Sequence, residues 1–269
     1  MDKRTELITD FYNEAHEDTR LSRSRHGQLE YLTTMQYIHK MLPEKADIIE
    51  IGAGTGRYSI ALAREGYNVT AIELIKSNLE VLEQNSKGLT NIKSYQGDAL
   101  DLSRFQDNTF DLTQVFGPMY HLYTEEDQQK ALDEAIRVTK NGGIIMVAFL
   151  SAPMILFDNY LQGNFRAGVA ENFTEDYRTK HFPEQLFTGF NIDEFEAMFK
   201  NKPVEWITTA ATDSILELAE GRADFAMSDE DFDAFAKYHL HNCEKRELLG
   251  CSAHLLYICR KTSFAASGK

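Results

Sequence analysis

Cysteine is scarce: the 269 residues hold three, Cys243, Cys251 and Cys259. So few thiols cannot build a disulfide scaffold, and they fit a reducing compartment, so a cytoplasmic protein is expected. Basic charge is also short. Lys and Arg number 28 against 42 Asp and Glu, a formal net charge of −14. Binding a polyanion by counterion release needs clustered cations, so nucleic acid and anionic membrane are disfavoured partners. No apolar run reaches the roughly 18 residues of a membrane span. The opening "MDKRTELITDFYNEAHEDTR" has no apolar stretch of the kind a secretory signal needs. Proline is rare, at 5 residues, and there is neither a fixed-period repeat nor a low-complexity tract. What is present is enough apolar residue, 43%, for a sizeable core in one large domain or two small ones.

From residue 46 onward, strand-like and helix-like pieces alternate. "ADIIEI", "YNVTAIE", "NIKSYQ", "FDLTQVF" and "IIMVAFL" read as five strands. Between them, "RYSIALAREG" is a helix closed by Gly66. "SNLEVLEQNSKG" is a helix opened by a capping box of Ser77 and Glu80 and closed by Gly88. "TEEDQQKALDEAIRVTKNGG" is a helix stopped by Asn141-Gly142-Gly143. The fifth strand is apolar throughout, as a central parallel strand covered on both faces should be. "VEWITTAA" and "AHLLYICRK" supply two more strands, with the helix "DEDFDAFAKYHLHN" between them, and the tail "SFAASGK" is expected to fray. The fold class is therefore α/β, with a doubly wound, mostly parallel, seven-stranded sheet. In front of it, "QLEYLTTMQYIHKML" carries Leu32, Met35, Ile38 and Leu42 at helical spacing, ended by Pro43. After the fifth strand, residues 151–203 are rich in aromatics without regular spacing and read as an insertion over the sheet's carboxyl edge. The expected layout is an N-terminal helical cap over 1–45, a core over 46–150, a lid over 151–203 and a completion of the sheet over 204–263.

The first strand runs into "EIGAGTGRY", Glu50 to Tyr58, where Gly52, Gly54 and Gly56 crowd one bend. In a doubly wound sheet the ligand lies at such a bend, where glycines let backbone touch it and a helix N-terminus offers free N–H groups. The dinucleotide fingerprint G-x-G-x-x-G would place its third glycine at position 57, which is Arg57. The pattern is instead E-x-G-x-G-x-G. This resembles the first motif of the Rossmann-like, class I S-adenosylmethionine-dependent methyltransferases. The resemblance covers residues 46 to about 150 and implies S-adenosylmethionine as cofactor, with Glu50, Gly52, Ala53, Gly54 and Gly56 around its methionine part. Glu73, 23 residues after Glu50 at the end of the second strand, would accept the ribose hydroxyls. Leu74 would pack on the adenine, and Asp98 with Ala99, after the third strand, would meet its amino group. Phe116 and Gly117, ending the fourth strand, would line the transfer site. Taken singly, Glu73 could equally be a turn residue and Asp98 a helix cap.

Methyl transfer from a sulfonium is chiefly a matter of alignment and desolvation, and a base is needed only where the acceptor must lose a proton. His121, in "GPMYHL", is the candidate base, against the alternative of a loop histidine bonded to backbone. Tyr120 is a candidate for the acceptor pocket. Tyr31, on the N-terminal helix, is either a cofactor cover or core. "RLSRSRHG", Arg20 to Gly27, is a basic stretch that either folds over an anionic ligand or lies in solvent. Gly117 stands where nucleobase amino-methylases keep a polar side chain, which argues against such a substrate. His239, His241, Cys243, Cys251 and His254 fall close together but lack a ligand pair of the usual spacing, and no metal is expected. The leading expectation is a methyltransferase for a small-molecule acceptor, with acceptor choice made by 151–203. The alternatives are a protein or RNA acceptor, a non-catalytic S-adenosylmethionine-binding module, or a nicotinamide oxidoreductase, the last disfavoured by Arg57.

Overall fold

A computed structural model describes residues 3–14, 17–183 and 185–263; the fraying expected from Phe264 onward lies outside the described residues. Five parallel strands come first: β1 (Asp47–Ile51), β2 (Asn68–Glu73), β3 (Ile92–Gln96), β4 (Phe110–Val115) and β5 (Thr139–Ser151). Ile48, Ile49 and Leu112 and the run Ile145 to Val147 are fully buried, so the apolar strands lie between two helical layers. Later come β6 (Gly189–Phe190), β7 (Val204–Ala211) and β8 (His254–Lys261). The sheet order is β3-β2-β1-β4-β5-β8-β7, with β8 antiparallel to both its neighbours. The seven expected strands are all present. The eighth, β6, is two residues that pair with Leu150 and Ser151, where β5 outruns β4.

Helices α1 (Lys3–Glu14) and α2 (Arg25–Met41) precede the sheet, and α3 (Arg57–Arg64), α4 (Lys76–Asn85) and α5 (Glu125–Val138) connect its parallel strands. Three local expectations need correction. Ser77 and Glu80 form no capping box, since α4 begins one residue earlier. Ser77 instead donates its hydroxyl to Asn13 of α1 at 2.8 Å, and Glu80 pairs with Lys76. Asn141-Gly142-Gly143 does not end α5. That helix stops at Thr139, whose side chain turns back to the Ala135 carbonyl, and the glycines fall inside β5 where its register against β4 shifts. Finally, Leu32 is 43% exposed, while α2 buries Leu29, Glu30, Thr33, Thr34, Tyr37 and Ile38. Met35 and Ile38 of the apolar stripe are buried too, so only Leu32 falls off the inward face, which is partly polar.

Beyond β5 come α6 (Ala152–Tyr160), α7 (Phe165–Asn172) and α8 (Ile192–Ala197). The last is bound to the sheet: Phe195 stacks on Phe149 at 3.9 Å, and the nearby Phe199 stacks on Tyr257 at 4.0 Å. Such pairs contribute about 0.5–1.5 kcal/mol each beyond their buried area. Helices α9 (Leu216–Glu220), α10 (Asp229–Asn242) and α11 (Arg246–Leu249) lie between β7 and β8. Among the described residues no helix is long and apolar enough to cross a membrane.

Candidate functional site

The bend after β1 needs its glycines for three different reasons. Gly52, at φ +81°, has no room: an added Cβ would lie 2.3 Å from the Phe116 carbonyl oxygen. Gly54, at φ +54°, meets only the Glu17 side chain, at 3.6 Å, so a side chain there would project into the adjoining cavity. Gly56 is a third case. It does not line the cavity, and its Cβ would strike Leu82 of α4 at 2.7 Å. It lets α3 and α4 pack closely, so its expected place beside the cofactor is not where the structure puts it.

The bend is held against β2. The N–H groups of Gly52 and Ala53 donate to the Ile72 carbonyl at 2.9 and 3.0 Å. Glu73, at the end of β2, accepts the Gly54 N–H at 2.7 Å and the Ile75 N–H at 2.8 Å. Burial raises the pKa of this carboxyl despite those bonds. Glu50 is buried deeper and receives the Ser59 hydroxyl. Desolvation pushes it up to about 8, which keeps it protonated at neutral pH. Asp98 follows β3, accepts the Leu100 N–H at 3.1 Å and forms an ion pair with Arg4 of α1.

These groups surround one cavity of about 1210 Å³, partly open to solvent. Glu50, Gly52, Ala53, Gly54, Glu73, Leu74, Asp98, Ala99, Phe116, Gly117, Tyr120 and His121 all line it. Tyr31 does not. Its ring stacks on Tyr58, which does line the cavity, at 5.4 Å between centroids, and the Arg57 guanidinium covers it at 4.5 Å.

Strands that end at one sheet edge with a glycine bend and two acids match a known pattern. A family model for a methyltransferase domain matches residues 49–147. Residues 49–147 thus form a methyltransferase domain. The cofactor of that family is S-adenosylmethionine. The domain is similar to a demethylmenaquinone methyltransferase of Clavibacter sepedonicus, 34% identical over 108 residues, 40% of this chain and 42% of that one. It is also similar to a putative methyltransferase of Bacillus subtilis, 31% identical over 112 residues, 41% of this chain and 45% of that one. The chain thus spans under half the length of these curated relatives. Among solved structures, a methyltransferase from Thermotoga maritima described as a possible histamine N-methyltransferase shares the fold, at TM-score 0.59 and 17% identity, over 97% of this chain and all of that one.

The rest of the cavity wall comes from outside the matched domain. Helix α1 lies across it through Ile8, the Arg4–Asp98 pair, and the Tyr12 hydroxyl at 3.1 Å from His121 Nε2. His121 therefore has both ring nitrogens engaged, since its Nδ1 lies 2.8 Å from the Leu186 carbonyl. That carbonyl can only accept, so Nδ1 carries the hydrogen and Nε2 receives the Tyr12 hydroxyl. Burial holds the imidazole down at about 4. A histidine so bonded and so hard to protonate makes a poor base, and it serves better as the anchor of α1.

Of the basic stretch, Arg20 turns inward, while Arg23 is exposed and Arg25 and His26 bond to Glu220. Arg20 donates to both Glu30 oxygens at 2.7 and 3.0 Å and to Glu17 at 3.1 Å, and all three line the cavity. Thr212 and His254 complete that end, and no described residue of 151–203 reaches it. Phe187 touches the wall only from behind, 5.3 Å from the rings of Phe11 and His121. Arg20, Glu30, Thr212 and His254 were absent from the expected site. Arg20 and His254 stood in stretches notable for charge or ligand type, but nothing in the sequence pairs them with Glu30 or Thr212.

Proposed function

We propose that this protein transfers a methyl group from S-adenosylmethionine to a small-molecule acceptor by in-line displacement. The observation that carries the reading is the continuity of the cavity, which runs from the glycine bend to the Arg20 and His254 end beneath α1. A protein or RNA acceptor would call for an open surface at that point. The relative named a demethylmenaquinone methyltransferase supports a small acceptor by its name alone.

The residues present fit the cofactor. Gly54 leaves space for it, Glu73 would take its ribose hydroxyls, and Gly97, Asp98 and Leu74 would surround its base. Bound S-adenosylmethionine supplies the activated methyl group. Phe116, Tyr58 and Ile8 exclude water from the space beside the bend, and Pro118 and Tyr120 limit the directions from which an acceptor can approach. The segment 1–45 serves as the cap over the cavity and 151–203 as its outer brace.

The test has two parts. Calorimetry should give saturable binding of S-adenosylhomocysteine and none of NAD(P). A metabolite extract incubated with labelled methyl donor should then yield a labelled small molecule. Label appearing only in protein or RNA, or tight cofactor binding without any turnover, would replace this reading with one of its alternatives.

A further inference from the structure

Two side chains at the Arg20 and His254 end carry a hydrogen-bonding atom without a partner among the described residues. His254 opens β8 opposite Leu150, near the end of β5. Because β8 is antiparallel, its first residue arrives at the edge where the parallel strands deliver their carboxyl ends. Asp213, two residues past β7, meets it there, with Nδ1 of His254 at 2.7 Å from Oδ2. Glu217 of α9 lies 3.4 Å from the same nitrogen. Nδ1 is thus committed, while Nε2 has no hydrogen bond among the described residues and the ring lines the cavity.

Tyr120 lines the same end, and its hydroxyl has no hydrogen bond among the described residues. The acids beside Arg20, by contrast, are taken, and Asp18, which also lines the cavity, is exposed to solvent. Glu30 and Glu17 accept from Arg20. The buried carboxylate oxygens without a partner, on Asp158 and Glu217, belong to residues that do not line the cavity. Asp213, Glu217 and His254 bring ligand atoms within 4.8 Å of one another, as a metal site would. Asp213, however, already accepts the Ser252 hydroxyl and the N–H groups of Ala253 and His254, which a cation would have to displace.

We propose that this end of the cavity is an oxyanion subsite, where His254 Nε2–H and the Tyr120 hydroxyl together hold an ionised oxygen of the acceptor, an enolate, phenolate or carboxylate. The inference rests on the methyltransferase reading of the cavity and narrows its substrate class. The charges agree with it. Burial works against a charge on His254, but Glu30, Asp213 and Glu217 outweigh burial and hold the imidazole well above its ordinary pKa. Glu17, Tyr120 and Asp158 also feel this charge, and Arg20 stands beside Tyr120. Tyr120 is pushed up to about 12 by burial and keeps its proton at neutral pH. Both groups therefore act as donors, and hydrogen bonds to a charged oxygen are the stronger kind.

The full-length protein saturated with S-adenosylhomocysteine is titrated with 4-nitrophenol, whose absorbance reports its ionisation. The bound probe should ionise at lower pH than the free one. His254→Gln should weaken phenolate binding by about tenfold or more, the loss of one charge-assisted hydrogen bond. Tyr120→Phe should weaken it less, and both variants should keep wild-type affinity for S-adenosylhomocysteine. The wild-type titration needs no variant, so a misfolded His254→Gln protein leaves the test intact. A probe that does not bind, or binds and ionises as it does free, overturns the subsite. Failure of S-adenosylhomocysteine itself to bind would instead count against the methyltransferase reading.

Discussion

The two ends of the cavity are assembled on different plans. The cofactor end is built from short stretches at the ends of adjacent strands: Glu50 to Thr55, Glu73 to Ile75, and Gly97 to Ala99. Its decisive contacts are backbone to backbone or backbone to one carboxylate, as in Gly52 and Ala53 on Ile72 and Glu73 on Gly54. The acceptor end draws Arg20 from a loop, Glu30 from α2, Tyr120 from the turn after β4, Thr212 from the end of β7 and His254 from β8. There the contacts run side chain to side chain, as in Arg20 on Glu30 and His254 on Asp213, and the elements that bring the groups together are distant in the chain. Backbone geometry fixes the first end, and the meeting of separate elements fixes the second.

Glycine substitutions should expose this difference most strongly. Gly52→Ala forces a Cβ against the Phe116 carbonyl at a positive φ and should cost about 3 kcal/mol or more of folding stability in urea unfolding. Gly54→Val meets only a flexible side chain, so it should lose about 1–2 kcal/mol and yet abolish S-adenosylhomocysteine binding by calorimetry. If the two variants exchanged these phenotypes, the assignment of the bend would be wrong.

Next in size is Glu73→Ala. It should weaken S-adenosylhomocysteine binding roughly tenfold to a hundredfold, as loss of charged hydrogen bonds requires. Unchanged affinity would take Glu73 out of the cofactor end.

Two buried groups of the cavity wall should also respond oppositely to pH. Folding raises the Glu50 pKa from 4.5 to about 8, so the neutral acid is favoured. Its contribution is complete below pH 4.5 and is lost as pH rises through 8. Glu50→Gln should therefore stabilise the protein at pH 8 and above, by roughly 2–5 kcal/mol. Folding lowers the His121 pKa from 6.5 to about 4, so the neutral imidazole is favoured. Its contribution is complete above pH 6.5 and is lost as pH falls through 4. His121→Phe, which keeps a ring among Tyr12, Tyr120 and Phe187, should flatten the stability curve across that window. Chemical unfolding at several pH values reads both effects, and a His121→Phe curve that stays as steep as wild type would contradict the buried, neutral assignment.

The smallest effect is expected at Tyr31. Tyr31→Leu removes the Arg57 and Tyr58 ring contacts and should cost about 0.5–1 kcal/mol in unfolding, with S-adenosylhomocysteine affinity intact. A marked loss of affinity would return Tyr31 to the site.

Legibility in the sequence follows the same division. The seven strands and the bend could be read because period, glycine placement and acid placement are local quantities. Gly56 was assigned to the ligand because a glycine that makes room for a neighbouring helix looks the same, in one dimension, as a glycine that makes room for a cofactor. Leu32 was placed inward because α2 turns Glu30, Thr33 and Thr34 toward the interior, a face that hydrophobic spacing cannot detect. His121 was favoured over His254 because it follows a strand at the expected edge. Its commitment to Tyr12 and Leu186 depends on α1 and the 151–203 segment, which no spacing rule brings there.

Read alone, the chain of residues was sufficient for the α/β sheet, the bend after β1 and the acids that follow β2 and β3, since each follows from the steric and hydrogen-bonding needs of a few neighbouring residues. Folding in three dimensions settled which histidine faces the cavity with a free nitrogen, where Arg20 lies and what covers Asp98. Those outcomes turn on the packing of elements distant in sequence, and on the charges that burial brings together there, which no local pattern encodes.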